Sequence, residues 1–174
     1  MAYNRQHVFS AIMELHRLIQ KKHDYFDAVY ERIPAILRSV FPIDLLSVYE
    51  FDYENHTLLL RYNFGSPNSM MEIINFLSGK GNVRRIATLH RPLWYSSPLH
   101  GVKKAIQKKE VNSLGGVPII MNGFLTGVII CGSYEPQVFS RKEIVLLDLF
   151  GGLIGQLLIK NQWIDSKVRT HINL

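Results

Sequence analysis

Thiol chemistry has almost no place in this 174-residue chain, because Cys131 is its one cysteine. An internal disulfide is excluded, and so is a metal cage built from several cysteines. The seven histidines show no His-x-x-x-His spacing, and no acidic partner recurs beside them, so no metal site is expected. No apolar run approaches the ~20 residues of a membrane-spanning helix. No charged-then-apolar leader with a cleavage site opens the chain, since Met1-Ala2-Tyr3-Asn4-Arg5 runs directly into an amphipathic pattern. A cytoplasmic protein with no membrane partner is the expectation. Catalytic signatures are missing as well: there is no Gly-x-Ser-x-Gly elbow, no Gly-x-x-x-x-Gly-Lys-Ser/Thr phosphate loop and no carboxylate pair at a recognisable spacing. The chain is therefore expected not to be an enzyme.

What is present suits one domain with a real core: 47% of residues are hydrophobic, without repeat, low-complexity tract or linker. The charge is +6, from 20 Lys+Arg against 14 Asp+Glu, and it is spread along the chain. Its one local cluster, Lys103, Lys104, Lys108 and Lys109, lacks an interleaved aromatic platform. It reads as a solvated helix face, and nucleic acid is not an expected partner.

Val8, Ile12, Leu15 and Ile19 recur at helical spacing, and Lys21-Lys22-His23 close that helix with cations at its negative end. A second helix is expected from Asp24 to about Val40, with Pro34 predicting a kink or break and Phe41-Pro42 stopping it. Alternation predicts strands over 43–52 and 56–64, joined by a turn at Tyr53-Glu54-Asn55. On this alternation Tyr49 and Phe51 share one face of the first strand, and Leu58, Leu60, Tyr62 and Phe64 share one face of the second. A short helix should use Met70, Ile73, Ile74 and Leu77, and another Val102 and Ile106. Between them, residues 79–98 read as irregular yet apolar. Ser140-Arg-Lys-Glu143 is a capping box that opens a helix expected to run about twenty residues.

The stretch Ser113-Leu-Gly-Gly-Val-Pro-Ile-Ile-Met-Asn-Gly-Phe-Leu-Thr-Gly-Val-Ile-Ile130 reads as a hairpin turning at Asn122-Gly123, the pair suited to a type I′ turn. Its near-continuous apolar runs predict cover on both faces. Together with Phe139-Ser-x-x-Glu143 and the apolar helix behind it, this stretch resembles the closing half of a GAF domain, the small-molecule sensor module of many signalling proteins. Gly79-Lys-Gly-Asn-Val83 and Ala87-Thr-Leu-His-Arg-Pro-Leu-Trp94 resemble two further segments of that family, with a departure at His90, where the family carries glycine, and at Ser96-Ser97, where it often carries an acidic residue. The resemblance implies an α+β fold: a central antiparallel sheet, terminal helices on one face, and a roof over a small-molecule pocket on the other. It divides the chain into an N-terminal helix (1–22) suited to dimerisation, a GAF-like domain (23–162) and a C-terminal extension (163–174).

Within that frame, Arg84, Arg85, His90, Trp94 and Tyr95 are candidate pocket-wall residues, because aromatic faces and guanidinium forks suit a planar or anionic ligand. The plainer reading has the two aromatic rings roofing the sheet and the arginines in water. Tyr49, Phe51 and Tyr62 are candidates for the floor, against the plainer reading of cross-strand aromatic pairs. No cofactor is assigned. Bilin attachment lacks a roof cysteine, the family's sulfoxide reductases need more than one thiol, and His90 or His100 as a haem ligand is weighed against an ordinary hydrogen-bonded histidine. Gly151, Gly152 and Gly155 each cost about 1 kcal/mol in a helix interior, which calls for close packing on the sheet or on a partner helix. The reading adopted is a homodimer through Ile12, Leu15, Ile19, Ile154 and Leu158, and packing within one chain is the alternative. The expected function is a sensory or regulatory domain that couples a small molecule to a helix-mediated dimer or to a partner protein; the alternative is a ligand-free dimerisation scaffold with a side-chain-filled pocket.

Overall fold

The computed structural model of the chain describes residues 4–21, 31–65, 82–95 and 111–172, with side chains described as far as residue 160. The elements are α1 (Arg5–Gln20), α2 (Ile33–Arg38), β1 (Leu45–Asp52), β2 (Thr57–Phe64), α3 (Asn82–Leu89), β3 (Leu93–Tyr95), β4 (Ser113–Met121), β5 (Phe124–Ser133) and α4 (Arg141–Ile172). The strands form one antiparallel sheet in the order β2-β1-β5-β4-β3.

The hairpin at the centre is as its sequence predicts. Asn122 and Gly123 have φ of 52° and 83°, the pair of positive values that a type I′ turn requires. Both strands are buried on both faces along most of their length. On one face Val117, Ile119, Ile129 and Cys131 pack with Leu46 and Val48 under α4, α1 and α2. On the other, Leu114, Val128 and Ile130 pack with Leu45, Tyr49 and the α3 residues Val83 and Ile86.

The helix layer is closed by two local caps and one that spans most of the sequence. Asn4 opens α1 by accepting from the Gln6 amide at 3.0 Å. The Ser140–Glu143 box opens α4: the Glu143 carboxylate accepts the Ser140 N–H at 3.0 Å and the Ser140 hydroxyl oxygen accepts the Lys142 N–H at 3.3 Å. The far end of α1 is capped from α4, where the Lys160 ammonium donates to the carbonyls of Ile19 (2.9 Å) and Lys21 (2.6 Å). These are carbonyls that α1 cannot satisfy internally. Phe41 packs against Phe139 and edge-on against Phe150, with centroids 6.2 and 6.0 Å apart, tying the start of β1 to α4.

Several expectations are corrected here. Of the kink or break expected at Pro34, the break is what the structure shows: Pro34 stands in the first turn of α2, where its missing N–H costs nothing. Residues 82–95 are regular: Val83 and Ile86 give α3 an apolar side that the intervening arginines mask in the sequence, and Leu93–Tyr95 add a fifth strand. The last helix runs 32 residues, because no glycine or proline follows Gly155 to stop it; it passes unbroken through the boundary expected at residue 162. The dimer stripe is largely interior: Leu15, Ile154 and Leu158 are each 0% exposed within the single chain, with Ile12 and Ile19 half-buried beside them. Packing within one chain accounts for these five. The expected helices around Met70–Leu77 and Val102–Ile106 lie outside the described residues.

The three glycines of α4 separate by what each meets. A Cβ on Gly151 would lie 3.2 Å from Val117 Cγ2, and one on Gly155 would collide with Ile119 Cγ2. At Gly152 a Cβ would meet nothing. Two glycines therefore let α4 sit close on β4, and the third meets no neighbour among the described residues. Gly155→Ala is expected to cost about 1–3 kcal/mol by overpacking, whereas Gly152→Ala is expected to gain up to about 1 kcal/mol of helix propensity. Urea denaturation of dilute protein checks both signs.

Candidate ligand-binding site

The α3 face of the sheet is the candidate, a buried cluster whose residues arrive from α3 and all five strands. β1 supplies Leu45 and Tyr49, β2 supplies Leu58 and Leu60, β5 supplies Val128 and Ile130, and α3 lays Val83, Ile86 and Ala87 over them. Tyr95 of β3 packs at the margin. Gly116 allows the approach of α3, since a Cβ there would lie 2.5 Å from Ile86 Cδ1 and 2.6 Å from Ile130 Cδ1.

Tyr49 is the polar feature of this face. The residue is 5% exposed, and its hydroxyl makes no hydrogen bond among the described residues. Burial pushes its pKa above the ordinary tyrosine value, so the group stays protonated and remains a donor. A buried hydroxyl without a partner costs about 1–3 kcal/mol.

The other candidates divide. Phe51 is half-buried at the strand end, edge-on to Tyr53 with centroids 4.8 Å apart. Tyr62 does not join Tyr49. Val48 pairs with Tyr62 but Tyr49 pairs with Leu60, so Arg61 is an extra residue in β2, a bulge that switches the faces of the strand. Leu58 and Leu60 stay on the α3 face, while Tyr62 and Phe64 pack with the helix layer. There, burial and then the nearby Glu31 carboxylate raise the Tyr62 pKa, and the Arg38 guanidinium stands 5.7 Å over the Phe64 ring. The bulged Arg61 pairs with the buried carboxylate of Glu50. Arg84, Arg85 and His90 are exposed, and Trp94, on the short strand at the sheet edge, is 42% exposed. The structure thus brings together Tyr49 and Tyr95 and leaves the cations outside.

His90 explains its own departure from the family. Its φ is 51°, the left-handed conformation that glycine adopts without cost, and it sits just past the end of α3. The backbone geometry of the missing glycine is kept and the side chain tolerated in solvent.

Ser113 was not singled out by sequence reasoning. It is 1% exposed, its hydroxyl donates to the Tyr95 carbonyl at 3.3 Å, and its oxygen accepts the Phe139 N–H at 3.0 Å. It fixes β3 and the approach to α4 to the same point of β4. Nothing distinguishes a serine in this role from any other strand serine in a single sequence. Cys131 is fully buried among apolar side chains, and burial raises its thiol pKa.

A concavity of about 720 Å³ lies between α4 and the stretch of β4 beyond its pairing with β3. Pro118, Ile120, Val145, Leu149 and Gly152 line it, and Val145 is 66% exposed. Pro118 suits a strand position that has no ladder partner on one side. Asp148 also lines this groove, has no hydrogen-bond or ion-pair partner among the described residues, and has its pKa raised by partial dehydration. The signal for this face was present in the sequence, since Val145 and Leu149 are four apart on the side of α4 away from Ile144, Leu147 and Ile154.

No helix among the described residues is long and apolar enough to cross a membrane. Against curated protein sequences no match is found. The family model of the GAF domain matches residues 26–158. Among solved structures, the chain is similar to the GAF domain of a phosphoenolpyruvate-protein phosphotransferase from Coxiella burnetii, with 13% identity, a TM-score of 0.68, and 94% of this chain and 99% of that one covered. It is similar to the reduced form of fRMsr from Staphylococcus aureus, with 18% identity, a TM-score of 0.65, and 91% and 99% covered. It is also similar to the free methionine-R-sulfoxide reductase of Neisseria meningitidis solved with its substrate, with 12% identity, a TM-score of 0.66, and 90% and 91% covered. These reductases overturn the expectation that the chain is not an enzyme, which rested on absent motifs: the same fold carries catalysis in known proteins, and the missing motifs belong to other folds.

His90→Gly is expected to raise stability by about 1 kcal/mol, the usual cost of a side chain in the left-handed region. Thermal and urea unfolding measure it; unchanged or lowered stability would show that the histidine side chain makes a compensating contact.

Proposed function

This chain belongs to the GAF domain family, and from that premise we propose that it is a cytoplasmic sensory or regulatory module. It binds a small molecule on the α3 face of its sheet and passes the binding to the helix layer behind. The observation that carries this reading is the buried Tyr49 hydroxyl, which has no partner among the described residues. The ligand it calls for is largely apolar, to match Leu45, Val83, Ile86, Val128 and Ile130, with one acceptor such as a carbonyl or carboxylate oxygen for the Tyr49 O–H.

The route from this face to α4 is short. Gly115 and Gly116 are neighbours in β4 with opposite tasks. A Cβ on Gly116 would strike Ile86 of α3, and one on Gly115 would lie 2.6 Å from Phe139 and 2.9 Å from Ile144 of α4. Residues from both helix layers thus contact neighbouring positions of β4. A ligand that shifts α3 acts there on the start of α4, to the extent that it binds the two arrangements with different affinity.

The output reading is a homodimer through the outward face of α4. Val145, Leu149 and Gly152 line the groove on that face, and a Cβ at Gly152 would meet no atom of the described residues. Lys142 and Asp148 stand three residues either side of Val145. A two-fold contact centred there sets each lysine against the other chain's aspartate, which is the self-complementarity that such an interface needs.

Two measurements test the two halves. Native mass spectrometry and a thermal-shift screen of metabolites are expected to reveal a bound or stabilising small molecule. Tyr49→Phe is expected to stabilise the ligand-free protein by up to about 1 kcal/mol and to weaken ligand binding about tenfold, the worth of one buried hydrogen bond. A protein that no metabolite stabilises would be the scaffold, and ligand affinity indifferent to Tyr49→Phe would move the site elsewhere. For the dimer, Leu149→Glu is expected to leave a folded monomer in sedimentation velocity at concentrations where the parent chain dimerises. A parent that stays monomeric, or a variant that still dimerises, removes α4 from the output.

A further inference from the structure

On the helix side of the sheet, away from Tyr49, a small cavity of about 230 Å³ opens between α1 and α2. It is lined by Glu14, Arg17, Leu18 and Lys21 from α1 and its end, and by Arg32 at the head of α2. Three cations thus meet one carboxylate. That carboxylate is already engaged, since Arg32 Nη2 donates to Glu14 Oε1 at 2.6 Å. Arg17 and Lys21 have no ion-pair partner among the described residues.

Cations at the end of a helix ordinarily turn to its last carbonyls. Here that position is taken. The Lys160 ammonium, arriving from α4, donates to the carbonyls of Ile19 and Lys21. It satisfies the negative end of α1 and adds a fourth positive charge next to the cavity. Arg17 and Lys21 are displaced from the acceptors that would otherwise hold them, and their charge faces the concavity. The Glu14 contact holds one edge of the Arg32 guanidinium and leaves donors on the others. Leu18, 3% exposed, gives the cavity an apolar floor, which strengthens charge interactions above it.

We infer that this cavity binds the phosphate group of a small soluble molecule. Two forked guanidiniums and an ammonium match phosphate oxygens in number and geometry. The volume falls below the ~300–1,000 Å³ of clefts that enclose drug-sized ligands, so the site takes a head group and leaves the rest of the molecule outside. An anion there joins α1, α2 and, through Lys160, α4. It adds an input on the helix side of the sheet that is independent of any ligand of the Tyr49 face.

The test uses the full chain in a phosphate-free buffer. Inorganic phosphate and glycerol 3-phosphate are titrated against sodium chloride at matched ionic strength, with melting temperature and ¹⁵N amide shifts as readouts. Both phosphates are expected to give a saturable rise in melting temperature that chloride does not. Shift changes should concentrate in residues 14–21 and 31–33. Arg17→Gln with Lys21→Gln, both on exposed positions, should weaken binding at least tenfold, while Arg84→Gln on the opposite face leaves it unchanged. Sedimentation with phosphatidylcholine vesicles containing phosphatidic acid tests a lipid source. An equal rise with chloride, affinity retained in the double variant, shifts centred elsewhere, or binding to vesicles without binding to the soluble phosphates would each overturn the assignment.

Discussion

Both faces of the β4–β5 hairpin are shut away from water, and the placement of every other described element follows from that. A hairpin solvated on one side would alternate in polarity, and this one does not: Val117, Ile119, Ile129 and Cys131 look to one layer while Leu114, Val128 and Ile130 look to the other. Each fully buried side chain of this size is worth about 1.5–3 kcal/mol, so neither layer can be given up. The ladder then fixes how the layers reach the strands. Gly115 and Gly116 remove side chains where α4 and α3 press on β4 from opposite faces. Gly127 does the same on β5, where a Cβ would strike the Tyr49 carbonyl and lie 3.2 Å from Leu158 of α4.

Local chemistry was legible in the sequence and distant pairing was not. Asn122-Gly123 specifies its turn through two adjacent dihedral angles, and Ser140-x-x-Glu143 specifies its cap within one turn of helix. Both are decided by a few neighbouring atoms, so a single sequence shows them. The Arg61 bulge is different. Its residues alternate without a flaw from Leu60 to Phe64, and only the register with β1 reveals that Tyr62 has changed sides. Lys160 is further still from its acceptors, 139 positions from Lys21 and 141 from Ile19. The buried stripe of α1 shows a related limit. Periodicity told which side of the helix is apolar, but not whether the partner for that side is the chain's own α4 or another molecule.

The candidate site divides along the same line. Tyr49 is placed by strand alternation beside the fully paired β5, so its face could be read. The arginines of α3 could not, because a helix of eight residues with Val83 and Ile86 inward leaves Arg84 and Arg85 on its solvent side, and the segment lacked any visible helical period. The comparison with reductases carries the complementary lesson. Sequence motifs exclude the folds they come from, while chemistry on this fold depends on side chains in a pocket whose composition varies. A fold assignment narrows where to look and says little about what happens there.

The value of Tyr49 lies as much in its backbone as in its hydroxyl. Tyr49 pairs with Val128, and the next residue, Glu50, pairs with Gly127, so the strand carrying the orphan hydroxyl runs directly beside the glycine that lets Leu158 approach. Under the proposed function, a ligand held by the Tyr49 O–H would pull on β1 from one face, and α4 would read the response on the other, with one layer of backbone between them. Interiors packed at crystal density do not absorb such a shift by compressing. Either β1 stays fixed and the ligand binds without consequence, or β1 and Leu158 move together and α4 reorients. Under that proposal, tight packing at Gly127 favours the second outcome wherever α4 has somewhere to go, and among the described residues the open space beside Gly152 lies in the groove between α4 and β4.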